Sequence, residues 1–147
     1  MGSRDVLALA GGLLKQEKLV LMKDLEVVDS VINVPTASEL LLGEAYAGAR
    51  VLVYPSLWEG FGIPPLEAMS IGCPVVACNA GAVPEVCRDA PFYFDPQGRS
   101  SLNAALLRAI NDSAAREQAT RRGKEIAAEF CWEKCSAETL AFYRECQ

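Results

Sequence analysis

The sequence has 147 residues, of which 51% are apolar and 22% are charged, and this suits one globular domain with a sizeable core. Its formal net charge is −5 and its sequence pI is about 4.8, and no basic run with interleaved aromatic residues occurs. These features argue against a nucleic acid or an anionic membrane surface as a partner. No apolar run reaches transmembrane length and no export signal is evident, so we expect a cytoplasmic protein.

The sequence contains six cysteines and no histidine. None of the cysteines forms a C-x-x-C pair, so a zinc site is not expected, and the lack of histidine excludes Ser-His-Asp and Cys-His catalysis within the chain. Cys73 and Cys78 flank or occupy an apolar stretch and should be packed thiols. Cys131 and Cys135 lie one helical turn apart, which is no signature by itself. We expect reduced thiols throughout and no cofactor.

Apolar runs alternate with helical patterns along the first two thirds of the chain. Up to residue 62 the patterns predict a strand over 6–10, a helix over 14–25, a strand over 30–34, a helix capped by Thr36 or Ser38 that runs to about 47, and a strand over 51–54. After a glycine-bearing loop they predict a helix entered at a proline pair, a strand over 74–78, a short helix opened by Pro84-Glu85 and a strand over 92–94. The rest of the chain is predicted to be helical. A helix capped by Ser100 or Ser101 runs to about 111, a second helix runs through 121 or beyond, and a final helix covers 132–144. This alternation predicts an α/β fold with a doubly wound, parallel, Rossmann-like sheet.

The same patterns predict which elements are buried. The strand over 6–10 is uniformly apolar, so we expect it to be buried, and we expect the strand over 51–54 to be central in its sheet. In the helix that precedes this strand, Leu40, Leu41 and Tyr46 should lie on the buried side.

The stretch 55–77, PSLWEGFGIPPLEAMSIGCPVVA, combines a loop, a helix start and an apolar strand. Gly60 and Gly62 lack Cβ, so the backbone can bend there and a ligand can approach closely. Pro64 or Pro65 suits the first helical position, where a missing N–H costs little. The amides of the loop and of the first helical turn are then free at the positive end of the helix dipole, which favours an anion such as phosphate.

Two carboxylates, Glu59 and Glu67, lie on either side of this loop. We expect Glu67 in the first helical turn, where it could accept two hydrogen bonds from a vicinal diol such as a ribose. We expect Glu59 on the pocket side of the loop. Two ordinary explanations stand beside this one. Strand–loop–helix turns with Gly and Pro are common, and an acidic residue in a first turn compensates the helix dipole by about 0.3–1 kcal/mol.

The stretch EGFGIPPLEAMSIGCPVVA closely resembles the donor-site signature of retaining glycosyltransferases of the GT-B architecture, in the group 1 family that includes sucrose-synthase-like and mannosyltransferase-like enzymes. NAGAVPEV resembles the small-residue turn of that family, and FYFDPQG resembles the strand and Asp-Pro turn that follow. FCWEKCSAETLAFYRE resembles its closing helix. The resemblance covers essentially the whole chain. It implies a partial donor-nucleotide-sugar-binding domain over 1–147, with its C-terminal helices over about 100–147.

The resemblance implies transfer of a sugar from a UDP- or GDP-sugar, with retention and without a required metal. Glu59 is similar to the catalytic glutamate near the donor sugar and its leaving phosphate, where it would give positioning and electrostatic support. Glu67 is similar to the glutamate that binds the ribose hydroxyls. The resemblance also implies amides that hold the sugar hydroxyls and the distal phosphate, and these are the amides of Gly60, Phe61, Gly62 and Ile63.

Parts of the family pattern have no counterpart in this sequence. These are the N-terminal acceptor domain, an Arg and a Lys that neutralise the diphosphate, and the first strand–helix unit of the donor domain. In the strand order 3-2-1-4-5-6 the first strand is central, so we expect an incomplete sheet with exposed edges. Either the flanking strands close the gap directly, or elements are exchanged between chains in a homo-oligomer. We expect the chain to be inactive without an acceptor domain.

Some alternatives stay open. The chain is the donor-binding half of an enzyme, or a non-catalytic module that binds nucleotide weakly or oligomerises. The lack of a full GxGxxG after the first strand counts against a third interpretation, an NAD-type dinucleotide binder. Glu85 caps its own helix or lines the donor pocket. Trp132 and Tyr143 pack in the core or between domains rather than stack on a ligand.

Overall fold

The computed structural model describes residues 6–34 and 38–146. Within them the strands are β1 (Leu7–Ala10), β2 (Val31–Val34), β3 (Leu52–Tyr54), β4 (Val75–Cys78) and β5 (Phe92–Phe94). The helices are α1 (Gln16–Asp24), α2 (Glu39–Gly48), α3 (Ile63–Ile71), α4 (Val83–Cys87), α5 (Arg99–Asn111), α6 (Ser113–Ala127) and α7 (Trp132–Glu145). The predicted α/β alternation with parallel strands is therefore confirmed. The chain divides into two compact units, Met1–Leu42 and Gly43–Gln147, and helix α2 crosses the boundary.

The first unit contains a two-stranded parallel sheet, in which Leu7 lies opposite Val31 and Ala10 lies opposite Val34. The amide of Gly11 donates to the carbonyl of Val34 over 3.2 Å and so extends the ladder by one bond. Helix α2 starts where Ser38 Oγ accepts a hydrogen bond from the amide of Leu41 over 3.2 Å, which confirms a cap at Ser38. The alternative cap, Thr36, lies outside the described residues.

The expectation of a buried strand over 6–10 is wrong, since Leu7 is 50% exposed. The expected burial of Leu40 and Leu41 is also wrong, whereas Tyr46 is buried as expected. The apolar pattern correctly predicts the strand and the helix, but burial also needs a second layer of structure to pack against. A two-stranded sheet is too small to supply such a layer.

The second unit is built on a parallel sheet in the order β3-β4-β5. All four residues of β4 are buried, and the strand pairs with β3 on one side and with β5 on the other. Strand β3 is therefore an edge strand of this sheet and not the central strand that we expected. That expectation assumed a further strand beside it, and among the described strands only β4 pairs with β3.

The described strands form two sheets rather than one. Direct closure of the expected gap by pairing of the flanking strands is therefore not found. The other expected outcome, an exchange of elements between chains, stays a prediction. None of the helices in the described parts of the chain combines the length and the apolar character needed to cross a bilayer.

One part of the core of the second unit lies between the sheet and helix α5. Its central cluster consists of Val76, Cys78, Phe92, Phe94, Ala105 and Ala109. Cys73 and Cys78 are packed thiols, as the sequence predicted, and their burial raises the pKa of both. Helix α7, in contrast, has no buried residue. The core placement of Trp132 and Tyr143 is therefore wrong, while their packing between domains stays a prediction.

The start of α5 differs from the predicted one. The N-cap of this helix is Gly98, so Ser100 and Ser101 lie inside it. The reason lies in the preceding turn, where the Asp95 carboxylate accepts from the amide of Gln97 over 2.9 Å and the amide of Asp95 donates to Ser101 Oγ over 2.8 Å. These two hydrogen bonds order the turn, so α5 begins directly after it.

Helices α3 and α6 pack closely against each other. Gly123 of α6 is buried, and a Cβ built there would lie 3.0 Å from Cγ and 3.2 Å from Cβ of Met69 on α3. The missing side chain thus lets the two helix backbones approach. Because α3 begins where the glycine-bearing loop ends, this packing also fixes the position of the end of the loop.

We predict that Gly123→Val destabilises the protein by about 1–3 kcal/mol, since a branched side chain must push Met69 away and so overpack the contact. Urea unfolding measures this change. Ala114→Val, at an exposed position of the same helix, controls for helix propensity and should cost no more than about 0.7 kcal/mol. Equal losses in the two variants would contradict the packing argument.

Candidate functional site

The glycine-bearing loop, residues 55–62, joins the carboxyl end of β3 to the start of α3. Gly62 is the N-cap of α3 and has φ 100° and ψ 49°, a left-handed conformation that side chains rarely adopt. It is also buried, and a Cβ at this position would lie 3.2 Å from Cγ2 of Val83. Both the conformation and the close contact therefore call for glycine here.

The amides at this turn have no hydrogen-bond partner in the described part of the chain. Those of Gly60, Phe61, Gly62 and Ile63 donate no hydrogen bond to any of the described residues. The helix begins at Ile63, so Pro64 and Pro65 are its second and third residues and not its first. Since proline has no N–H, the donors at this positive helix end are the four amides just named.

Glu67 is the fifth residue of α3, so its predicted position in the first turn is wrong. The left-handed Gly62 starts the helix two residues earlier than a start at Pro65 would. The effect of the dipole falls off within the first turn, which weakens the ordinary explanation of Glu67 as dipole compensation. The side chain is exposed, and its Oε2 accepts a long hydrogen bond of 3.5 Å from the hydroxyl of Tyr46. Burial, followed by the charge of Glu67, raises the pKa of Tyr46 to about 12, so this hydroxyl keeps its proton.

Glu59 is half-buried in the loop. Hydrogen bonds from Tyr54 and then from Ser56 lower the pKa of its carboxyl group. The Ser56 hydroxyl also lies 3.4 Å from the carbonyl of Trp58. Because the hydroxyl has a single proton, Glu59 and this carbonyl compete for the same donor. Burial, followed by the bond to Glu59, raises the pKa of Tyr54. Glu59 is therefore a charged carboxylate at neutral pH, and this suits electrostatic support better than proton donation.

A second segment, the small-residue turn 79–83 after β4, lies against this loop. The amide of Ala82 donates to the carbonyl of Glu59 over 3.4 Å. Gly81 has φ 61° and a Cβ there would lie 3.2 Å from the amide nitrogen of Glu59, so a side chain at this position would crowd the loop. Glu85 follows in the first turn of α4 and is exposed, and its carboxylate makes no capping hydrogen bond with the described residues, so the predicted cap is not found and its place in a donor pocket stays a prediction.

Two depressions of the second unit, of about 740 and 380 Å³, run along α6, and neither is lined by a residue of the loop. The first is lined by Arg116, Arg121 and Lys124 among others, and the second lies beside Asp89 and Phe92. The free amides and the two carboxylates therefore lie outside these two depressions.

Three residues near the site were not predicted from the sequence. Tyr54 and Tyr46 supply the hydroxyl partners of the two carboxylates, and the ring of Phe130 lies 5.7 Å from the ring of Phe61. Tyr46 precedes its carboxylate by 21 residues, so no local pattern reveals the pair. The five-residue distance from Tyr54 to Glu59 could have suggested a contact across a tight loop.

Comparison with known proteins identifies the family. The sequence profile described as "Glycosyl transferases group 1" matches residues 3–126. This chain belongs to the glycosyl transferases group 1 family. O-antigen chain mannosyltransferase B of Escherichia coli is 46% identical over 99 residues, which cover 67% of this chain and 26% of that protein. The chain thus spans about a quarter of the length of this group 1 relative.

Solved structures of glycosyltransferases share the fold. Sucrose-phosphate synthase from Thermosynechococcus elongatus aligns with a TM-score of 0.85 and 27% identity, over 95% of this chain and 38% of that one. Anabaena HepE, solved in complex with UDP and glucose, aligns with a TM-score of 0.79 and 23% identity, over 92% of this chain and 40% of that one. The α/β fold with parallel sheets matches the C-terminal domains of GT-B glycosyltransferases.

We predict that Tyr54→Phe raises the pKa of Glu59 toward its ordinary value, because the variant lacks the hydrogen bond that favours the charged carboxylate. An NMR titration of the Glu59 carboxyl carbon measures this change. A pKa lowered by folding means that the interaction stabilises the protein at neutral pH, and that this contribution is lost as the pH falls through the lowered pKa.

The matched control for this titration is Tyr93→Phe. The Tyr93 hydroxyl donates to the carbonyl of Val83 over 3.4 Å rather than to a carboxylate, so its removal should leave the pKa of Glu59 unchanged. A fall in the pKa of Glu59 in the Tyr54 variant, or an equal rise in both variants, would contradict the assignment.

Proposed function

We propose that this chain binds the nucleotide-sugar donor of a retaining glycosyltransferase, with the diphosphate at the amides of residues 60–63 and the ribose at Glu67. The observation that carries this proposal is the set of four amides without internal partners at the start of α3, between two carboxylates that tyrosine hydroxyls hold. Anions bind well where unpaired amides meet the positive end of a helix dipole. Family membership supports a sugar-linked diphosphate as this anion.

The arrangement suits the electrostatics of glycosyl transfer. When the bond from the sugar to the diphosphate breaks, negative charge develops on the departing phosphate. Amides that are already in place stabilise this charge without reorganisation, and such stabilisation commonly lowers a reaction barrier more than any other single effect. The charged Glu59, near the sugar, would then support the positive charge that develops at the reacting carbon.

Glu67 is the proposed ribose ligand. An ionised carboxylate has two oxygens that can each accept a hydrogen bond from one hydroxyl of a vicinal diol. Its exposed position in the second turn of α3 leaves it accessible, and Tyr46 contacts only one of its two oxygens. The other oxygen makes no hydrogen bond with the described residues, so it is available to a ligand.

The relatives indicate which donor sugar and which nucleotide to test first. A relative at 46% identity is named as a mannosyltransferase, so a mannosyl donor is the first one to test. HepE was solved with UDP and glucose, which makes UDP a suitable probe nucleotide. We propose that transfer to an acceptor needs an acceptor-binding domain in addition to these residues, and that the chain acts in the cytoplasm.

The experiment is calorimetric titration of the chain with UDP, GDP and ADP. We predict binding of a nucleoside diphosphate in the millimolar range or tighter, and Glu67→Ala should weaken it by about 10-fold or more, because hydrogen bonds to a charged acceptor contribute about 1.5–3 kcal/mol each. Glu138→Ala, which removes an exposed carboxylate from α7, is the matched control and should bind like the wild type. Failure to bind any diphosphate, or equal affinity in the Glu67 variant, would overturn the proposal.

We predict that UDP binds more tightly than uridine monophosphate, by about 10-fold or more, because only the diphosphate places a second charged group at the loop amides. The same calorimeter measures both constants. Equal affinities would show that the second phosphate adds nothing to binding, and the role of the loop amides in holding the distal phosphate would then have to be abandoned even if Glu67 proves essential.

A further inference from the structure

The backbone of the loop has few hydrogen bonds at residues 60–63, where the proposed function requires an ordered arrangement of amides. The amides of residues 60–63 have no internal hydrogen bonds with the described residues, and Gly60 and Gly62 flank Phe61. Gly62 is buried against Val83, but a Cβ at Gly60 would meet nothing within 4 Å, so the backbone before Phe61 can take many conformations. The side chain of Phe61 is therefore the main means by which the middle of the loop can be fixed.

Phe61 makes one aromatic contact within the described residues, with Phe130. The ring centroids lie 5.7 Å apart and the ring planes are 84° apart, an edge-to-face arrangement in the favoured range. The two residues are far apart in the sequence, and Phe130 lies between α6 and α7. The rings are 44% and 38% exposed, so each is about half covered. The contact joins the loop to a distant part of the second unit.

Phe130 is itself held in place. The amides of Phe130 and Glu129 donate to the carbonyls of Ala127 and Ile126, both over 3.1 Å, and these bonds fix the end of α6. Next to Phe130, the carboxylate of Glu129 accepts two parallel hydrogen bonds of 2.8 and 2.7 Å from Arg88. Such bidentate pairs are directional as well as strong.

Arg88 adds to the evidence for a fixed arrangement. Its φ is 50°, in the left-handed region that a non-glycine residue rarely adopts. It ends α4, the helix whose first residue, Val83, contacts Gly62. The ion pair from Arg88 to Glu129 thus joins the end of α4 to the end of α6. Both helices then support the loop, one through Val83 and the other through Phe130.

We propose that Phe130 is a positioning residue of this site, which holds the free amides of residues 60–63 in an anion-binding arrangement through its ring contact with Phe61. The inference rests on the proposed function. Without this contact the loop samples other conformations, and the apparent affinity for a diphosphate falls in proportion to the competent fraction.

The test compares Phe130→Ala with Phe130→Tyr, which keeps the ring, and with Phe142→Ala. Phe142 is a matched control, because it also pairs with a second aromatic ring, that of Tyr143 at 6.4 Å, but lies on the exposed helix α7. In the ligand-free chain, the NMR order parameters of the Gly60 and Phe61 amides should fall from about 0.85 to below about 0.6 in Phe130→Ala alone. The affinity for UDP should fall by roughly threefold to tenfold in the same variant and recover in Phe130→Tyr.

A double-mutant cycle tests whether Phe130 acts through Phe61. In a Phe61→Ala background, Phe130→Ala should cause no further loss of UDP affinity, whereas independent effects would multiply. Unchanged order parameters in Phe130→Ala overturn the proposal, and so does a disordered loop that binds UDP as well as the wild type does. If the wild-type chain binds no nucleoside diphosphate, the proposed function fails first and this proposal fails with it.

Discussion

The left-handed conformation of Gly62 is the constraint on which the candidate site depends. With φ at 100° and Val83 Cγ2 at 3.2 Å from any added Cβ, this residue ends the loop and starts α3 in a single step. Because the helix starts there, the two prolines fall at positions that need no N–H, and the amides before them pair with none of the residues that the structure describes. The same start places Glu67 in the second turn, away from the strongest part of the helix dipole.

The two carboxylates of the site differ in exposure and in surroundings. The hydroxyls of Tyr54 and Ser56 lower the pKa of Glu59, which is half-buried, so its surroundings favour the charged form. Glu67 is exposed, accepts one bond of 3.5 Å from Tyr46 and keeps its second oxygen available. This difference separates their roles. A half-buried charge provides a fixed field, whereas an exposed acceptor can rearrange to meet the hydroxyls of a ligand.

The sequence predicts the features that a local pattern determines, and it does not predict features that depend on a residue far away in the chain. The strand Phe92–Phe94 has the predicted bounds because apolar residues between turn signals specify it locally. Leu40 is exposed although its helix was predicted, since the periodicity of a helix does not reveal the layer that would cover it. The family signature led to Glu67, but the contacts of Tyr46 and Phe130 come from residues far apart in the chain, which only the fold brings together.

Parallel register explains why the two segments of the site meet. Tyr54 pairs with Ala77, so β3 and β4 end at the same edge of the sheet. The loop that follows β3 and the turn 79–83 that follows β4 therefore lie side by side. The amide of Ala82 donates to the carbonyl of Glu59, although α3 and β4 separate the two residues in the sequence. Since β4 is buried at all four residues and paired on both sides, its position is well determined. A slip of β3 by one residue would point its side chains to the opposite face and move the loop away from the glycine that accommodates it, so the burial of β4 and the geometry of the site follow from the same pairing.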